Sequence, residues 1–249
     1  MRFRLVATIA ALLISSPARA EQLLVAVAAN FAEPMREIAA QFERDSGHAV
    51  RLAFGATGKL YAQISNGAPY DVLLAADEIT AEKLVEQQLA LADTRFTYAT
   101  GRLVLWSAQP ARVDSAGKVL AEGDFRRLAI ASPAAAPYGA AAMDVLEALG
   151  LQHLSERLVR GESITHAYQF VASGNAELGF VARSQVYRDG RWLSGSGWEV
   201  PAELHRPLHQ QAVQLSRSRD NPAASALLDY LRQPQIRALI ASYGYGVSP

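Results

Sequence analysis

The feature that most constrains the fold is a repeated join, in which a short apolar run passes through a few small or polar residues straight into a helical pattern. Residues 23–28 form a continuous apolar run, and Phe31, Met35, Ile38, Ala39 and Phe42 then recur on one face of a helix. Asn30, with Glu33 three residues on, has the form of an N-cap with its capping box, and Gly47 closes that helix. The join repeats at 50–54, where Gly55-Ala56-Thr57-Gly58 leads into a short helix over 59–65. It repeats at 128–131, where a loop ending in Ala136-Pro137-Tyr138-Gly139 opens a helix that stops at Gly150. A fourth instance follows 158–160, with Gly161-Glu162-Ser163 before a helix that runs through Ala172. Strands are also predicted over 71–75, 103–107, 178–182 and 211–215, and a helix over 79–88. Residues 188–197 read as a surface excursion, and two C-terminal helices are split by Pro234. Such alternation implies an α/β fold. In open α/β sheets ligands sit beyond the carboxyl ends of strands. The four loops lie at such ends, where unpaired N–H groups and the positive ends of helix dipoles favour an anion.

The first twenty residues stand outside this pattern. Arg2 and Arg4 precede an apolar stretch of about ten residues, and Ala18-Arg19-Ala20 has the small-x-small form that a signal peptidase cleaves. That stretch is too short to cross a ~30 Å bilayer as a helix. Residues 1–20 are therefore expected to be a signal peptide cleaved after Ala20, leaving an exported protein. Charge becomes informative here. The whole chain carries 24 basic and 24 acidic side chains, but the leader holds three arginines and no acid, so the mature chain keeps 21 basic side chains and has a net charge of −3. No basic excess is available for nucleic acid. With no Cys, disulfides, thiolate metal sites, cysteine nucleophiles and a lipid-anchored cysteine are excluded.

Several chemistries lack their residues. There is no Gly-x-Ser-x-Gly elbow. Gly58-Lys59 is followed by Leu60 where a phosphate loop needs Ser or Thr for magnesium. His48, His153, His166, His205 and His209 are scattered, and Pro207 breaks the helical face that His205 and His209 would share. Asp77 and Glu78 stand where acids complement a helix start. An exported hydrolase using one of them with His166, and a metal-binding receptor, are the weaker alternatives.

The loops and several other segments closely resemble the periplasmic molybdate-binding proteins of bacterial ABC importers. The resemblance rests on Val25-Ala26-Val27-Ala28-Ala29-Asn30-Phe31, Gly55-Ala56-Thr57-Gly58 and Asn66-Gly67-Ala68-Pro69-Tyr70-Asp71-Val72. It continues through Leu73-Leu74-Ala75-Ala76-Asp77-Glu78, Ala136-Pro137-Tyr138-Gly139, Leu178-Gly179-Phe180-Val181 and the tail Tyr243-Gly244-Tyr245. It implies a two-lobed type II periplasmic binding protein, each lobe a mostly parallel sheet flanked by helices, with the ligand in the cleft between lobes. The lobes are expected over 21–97 with 209–249, and over 98–208. The implied ligand is molybdate or tungstate, held by hydrogen bonds alone. The implied partner is the membrane permease of an ABC transporter, and the implied protein is a monomer with no cofactor, no catalytic residue and no direct metal-ion ligand. Its oxyanion-binding residues would be Ala29, Asn30, Thr57, Tyr138 and Ile164. Asn30 would offer its side chain and N–H, Thr57 a hydroxyl, and Ala29, Tyr138 and Ile164 their N–H groups. The chain departs from well-known members at Ala182, where they carry a Tyr whose phenol is a donor.

Capping alone is the other role open to Asn30 and Thr57, and an aromatic wall the other role for Tyr138. An oxyanion site built from donors requires the Glu162 side chain to point away. Such a site disfavours protonated phosphate, because an unpaired buried hydroxyl costs ~1–3 kcal/mol. Sulfate or thiosulfate passes that filter, so a receptor for another such oxyanion is the alternative within the same fold.

Overall fold

The computed structural model describes residues 21–247, so the leader expected at 1–20 lies outside the described residues. The chain opens with β1 (Gln22–Ala28), a 3-10 turn at Ala29–Phe31 and α1 (Ala32–Ser46), which Gly47 ends in the left-handed conformation. Next come β2 (Ala49–Gly55), α2 (Thr57–Ser65), β3 (Val72–Leu74), α3 (Ile79–Glu86) and β4 (Phe96–Thr100). A second stretch holds β5 (Leu103–Ser107), α4 (Lys118–Glu122), β6 (Leu128–Ala131), α5 (Pro137–Ala148), β7 (Leu158–Gly161), α6 (Ile164–Ala172) and β8 (Leu178–Ala182). It continues with α7 (Arg183–Val186), a small hairpin of β9 (Tyr187–Arg188) and β10 (Arg191–Trp192), and β11 (Ser196–Glu199). The chain then returns through β12 (His209–Gln214), α8 (Pro222–Leu231) and α9 (Pro234–Ser242).

Two five-stranded sheets define two lobes, with orders β2-β1-β3-β12-β4 and β11-β5-β8-β6-β7. The strands that carry the loops are parallel, β1 with β2 and β3, and β6 with β7 and β8. The strands beside the crossings, β12, β4, β5 and β11, pair antiparallel, so each sheet is mixed. The chain leaves the first sheet after Thr100 and rejoins it at His209, and the Gly101 N–H donates to the Leu208 carbonyl at 2.9 Å, tying the two crossing segments together.

Strand alternation divides the core of the first lobe. Leu23, Val25 and Val27 face α1, α8 and α9, while Ala26, Leu73 and Val213 face Leu60 and Ile64 of α2 and Leu84 of α3. Phe31, Met35, Ile38, Ala39 and Phe42 are all buried, as their spacing predicts. Four strands, β4, β9, β10 and β11, escaped the sequence pattern. β4 is a five-residue edge strand, β9 and β10 make a hairpin within the supposed excursion at 188–197, and β11 begins at its end, with Ser196 and Trp198 buried against β5. The hairpin is not free either, since the Arg188 guanidinium stacks 3.8 Å from the Tyr243 ring and meets Glu37 at 3.2 Å, docking the second lobe on the first.

Candidate functional site

Each of the four joins places the start of a helix at the carboxyl end of a parallel strand, and in this structure the two sets of helix starts meet across the lobes. The Gly58 N–H donates to the Ala135 carbonyl at 2.9 Å, and the Thr165 hydroxyl lies 3.4 Å from the Ala29 carbonyl. Lys59 Nζ and Glu162 Oε2 stand 2.6 Å apart. Ala28, Ala29, Ala56 and Ala76 of the first lobe belong to the same buried cluster as Tyr138, Ile164 and Ala182 of the second. Two cavities of about 430 Å³ flank this seam, one bordered by Ala29, Asn30, Ser163 and His166 and the other by Gly58, Asp77 and Ala135. Thr57, Tyr138 and Ile164 are buried and line neither cavity.

The buried junction is rich in unspent donors. Asn30, Thr57, Tyr138 and Ile164 each occupy the first turn of a helix or 3-10 turn, where the N–H has no acceptor within its own helix. Among the described residues none of these four N–H groups is taken up by a turn, loop or cap hydrogen bond. The Thr57 hydroxyl accepts from the Ala76 N–H at 3.0 Å, which leaves its own proton to donate. Ala29 is buried beside Asn30 and spends its carbonyl on Thr165.

Plain capping does not describe these residues. Phe31, not Asn30, occupies the N-cap of α1, and Glu33 pairs with Arg36 instead of reaching back. Thr57 lies inside α2, with Ala56 as its N-cap. Asn30 is instead the centre of a buried network. Its amide nitrogen donates to Gln210 Oε1 at 2.9 Å and to the Tyr245 hydroxyl at 3.0 Å, and its carbonyl accepts from Ser184 Oγ at 2.9 Å. Gln210 in turn accepts from the Tyr98 hydroxyl at 2.9 Å and donates to the Tyr138 hydroxyl at 3.1 Å. The Asn30 side chain, expected to reach a ligand, is thus spent on holding the loop, and its backbone N–H is left unspent. The Tyr138 ring does more than line a wall, because it carries that link between lobes.

Gln210, Tyr245, Ser184 and Tyr98 were missed by sequence reasoning. A register shift between Gln210 and Gln211 turns the Gln210 side chain into the network, where it is fully buried. Burial pushes the phenols of Tyr98, Tyr138 and Tyr245 above their ordinary value of 10.0, so all three remain neutral donors. Ala182 presents only a methyl group, and its N–H is taken by Gln185 Oε1 at 3.0 Å.

The acids are held elsewhere. The Glu162 carboxylate points out to Lys59, which keeps it below the usual carboxylate range, and Asp77 Oδ1 accepts from the Thr80 N–H at 2.8 Å. Asp77 and His166 line opposite flanking cavities, so the structure does not assemble a hydrolase pair. Among the described residues no group of three His, Cys, Asp or Glu could hold a metal ion, and no helix is long and apolar enough to cross a membrane. The arrangement can neutralise an anion with dipoles and neutral donors, and it offers no nucleophile paired with a base.

Known proteins bear on this geometry. Residues 23–246 match the family model described as bacterial extracellular solute-binding protein. The molybdate-binding protein ModA of Azotobacter vinelandii is 55% identical over 98% of this chain and 97% of its own length. The molybdate-binding protein ModA of Rhodobacter capsulatus is 48% identical over 93% and 91%. A solved structure of the Azotobacter vinelandii periplasmic molybdate-binding protein superposes with a TM-score of 0.88 at 43% identity, covering 91% of this chain and 100% of that one. These relatives are named as binding proteins, and the two-lobed type II fold is shared with them. The chain belongs to the bacterial extracellular solute-binding proteins, in their ModA family.

Proposed function

We propose that the protein is a periplasmic receptor that binds molybdate, and tungstate as its near twin, and hands it to the membrane permease of an ABC importer. It works as a monomer, without cofactor and without covalent chemistry. The observation that carries this reading is the set of four first-turn N–H groups, at Asn30, Thr57, Tyr138 and Ile164, unspent in a buried junction between lobes. Each helix start supplies up to about half a positive charge, and charge-assisted hydrogen bonds are worth roughly 1.5–3 kcal/mol each. A net charge of −3 does not oppose this, because surface charges beyond about 8–10 Å are screened while the donors act in contact.

Donors without a facing carboxylate select a fully deprotonated oxyanion over protonated phosphate. The names of the relatives at 55% and 48% identity favour molybdate over sulfate or thiosulfate. The chain crosses after Thr100, not after residue 97, because β4 pairs with β12 throughout, and the two lobes close on the anion by rotation about the crossing segments near Gly101 and Leu208. A methyl group on Gly101 would collide with the Tyr138 hydroxyl and the Gln210 amide, so the pivot has no room for a side chain.

Calorimetric titration of the mature chain with molybdate, tungstate, sulfate and phosphate tests the reading. Tight binding of the first two, with sulfate and phosphate weaker by orders of magnitude, is the expected outcome. Preference for sulfate would reassign the ligand, and indifference to all four would end the oxyanion reading.

A further inference from the structure

We propose that Gly58 sets the receptor's affinity through the side chain it lacks, by letting the backbones of the two lobes meet at Ala135. This rests on the oxyanion reading above and goes beyond it, since Gly58 supplies no donor to the proposed ligand shell, its N–H being spent on Ala135. Its N–H donates to the Ala135 carbonyl at 2.9 Å, a backbone-to-backbone bond between lobes. A methyl group on Gly58 would stand 3.1 Å from the Ala135 carbonyl oxygen and 3.2 Å from its Cα. Those are backbone atoms, which cannot swing aside as a side-chain end can. The Ala135 segment is itself braced, because the Ala135 and Ala136 N–H groups both donate to the Ser132 carbonyl, at 3.1 and 2.9 Å.

Position in the chain turns this contact into a determinant of binding. Thr57, the residue before Gly58, supplies a hydroxyl and an N–H from the first lobe, and Tyr138, three residues after Ala135, supplies an N–H from the second. The Gly58–Ala135 bond therefore fixes how far apart donors of opposite lobes stand. A wedge of a few tenths of an ångström at this seam lengthens hydrogen bonds whose useful range is itself only ~0.5 Å. Lys59 and Glu162 draw the same seam together, but from the exposed rim.

The inference separates binding from stability. Gly58 is the second residue of α2, where alanine is the better helix former. Gly58→Ala is thus expected to leave the ligand-free melting temperature unchanged or raised. Its affinity for molybdate and tungstate should fall alike, by roughly five- to a hundredfold, the span that overpacking a close contact covers, mostly through faster release. Adding Ala135→Gly should not restore binding, since the clash is with backbone. The test is stopped-flow and calorimetric titration of wild type, Gly58→Ala and the double variant with molybdate and tungstate, beside ligand-free melting curves. Affinity of Gly58→Ala within twofold of wild type would overturn the inference. So would a fall in ligand-free melting temperature that tracks the affinity loss, or rescue by Ala135→Gly. Failure of wild type to bind either anion would remove the oxyanion reading itself, a result distinct from all of these.

Discussion

In the first lobe Asn30 is held by groups from remote parts of the chain, whereas the second lobe presents Tyr138 and Ile164 on helix starts formed within a few residues. Asn30 bonds to Gln210, Tyr245 and Ser184, which lie 180, 215 and 154 positions away. Tyr138 follows Pro137, which has no N–H to waste at the first helical position, and Ile164 follows Ser163, whose hydroxyl accepts from the His166 N–H. One half of the site depends on long-range packing, the other on local chain geometry. Substitutions in the first lobe should therefore act through placement, and side-chain substitutions in the second should spare the donor.

The largest expected effect comes from Asn30→Asp. A carboxylate a few ångströms from a dianion costs about 4 kcal/mol per unit charge at an effective dielectric of 20. Molybdate affinity should fall by roughly a thousandfold or more in calorimetry. Binding within tenfold of wild type would mean that the anion sits elsewhere.

Next in size is the contrast between the two ends of one hydrogen bond. Gln210→Leu strips partners from Tyr98, Asn30 and Tyr138, so the ligand-free protein should lose about 1–3 kcal/mol, or roughly 2–10 °C in melting temperature, and affinity should fall with it. Tyr138→Phe keeps the backbone N–H and loses only the phenol, so its affinity should stay within about threefold at a stability cost near 1 kcal/mol. Equal affinity losses in the two variants would erase the distinction between the lobes.

The smallest effect concerns the rim. Lys59 holds the Glu162 carboxyl below its ordinary value of 4.5, so the pair's contribution is full above that value and is lost as pH falls through the lowered one. Both groups are largely exposed, so solvent screening keeps the contribution small. The ratio of wild-type to Lys59→Met affinity, a quantity in which protonation of the anion cancels, should stay below about fivefold at neutral pH and approach one in acid. A ratio that grows in acid would contradict the pairing.

What the sequence made legible follows the same division. The joins after β1, β2, β6 and β7 are local patterns, and each opens a helix or 3-10 turn within a residue or two of its expected place. Helix starts announce unpaired N–H groups whatever their side chains, so Tyr138 and Ile164 could be named. The network around Asn30 could not be. Gln210 and Gln211 look alike in sequence, and only the register shift beside β4 sends one into the Asn30 network and the other against Arg95. Asn30 and Thr57 also looked like caps, because the residue types that cap helices are those that hold loops by hydrogen bonds. β4 and β11 were missed because both are short and their burial depends on antiparallel partners, β12 and β5.

The central claim is that neutral donors from both lobes, with no charged side chain, hold the anion. A crystal structure of the mature protein with molybdate tests it directly. The expected density places the oxyanion with oxygens about 2.7–3.1 Å from the N–H groups of Asn30, Thr57, Tyr138 and Ile164 and from the Thr57 hydroxyl. An anion seated instead against Arg36, Lys59 or His166, in either flanking cavity, would contradict it.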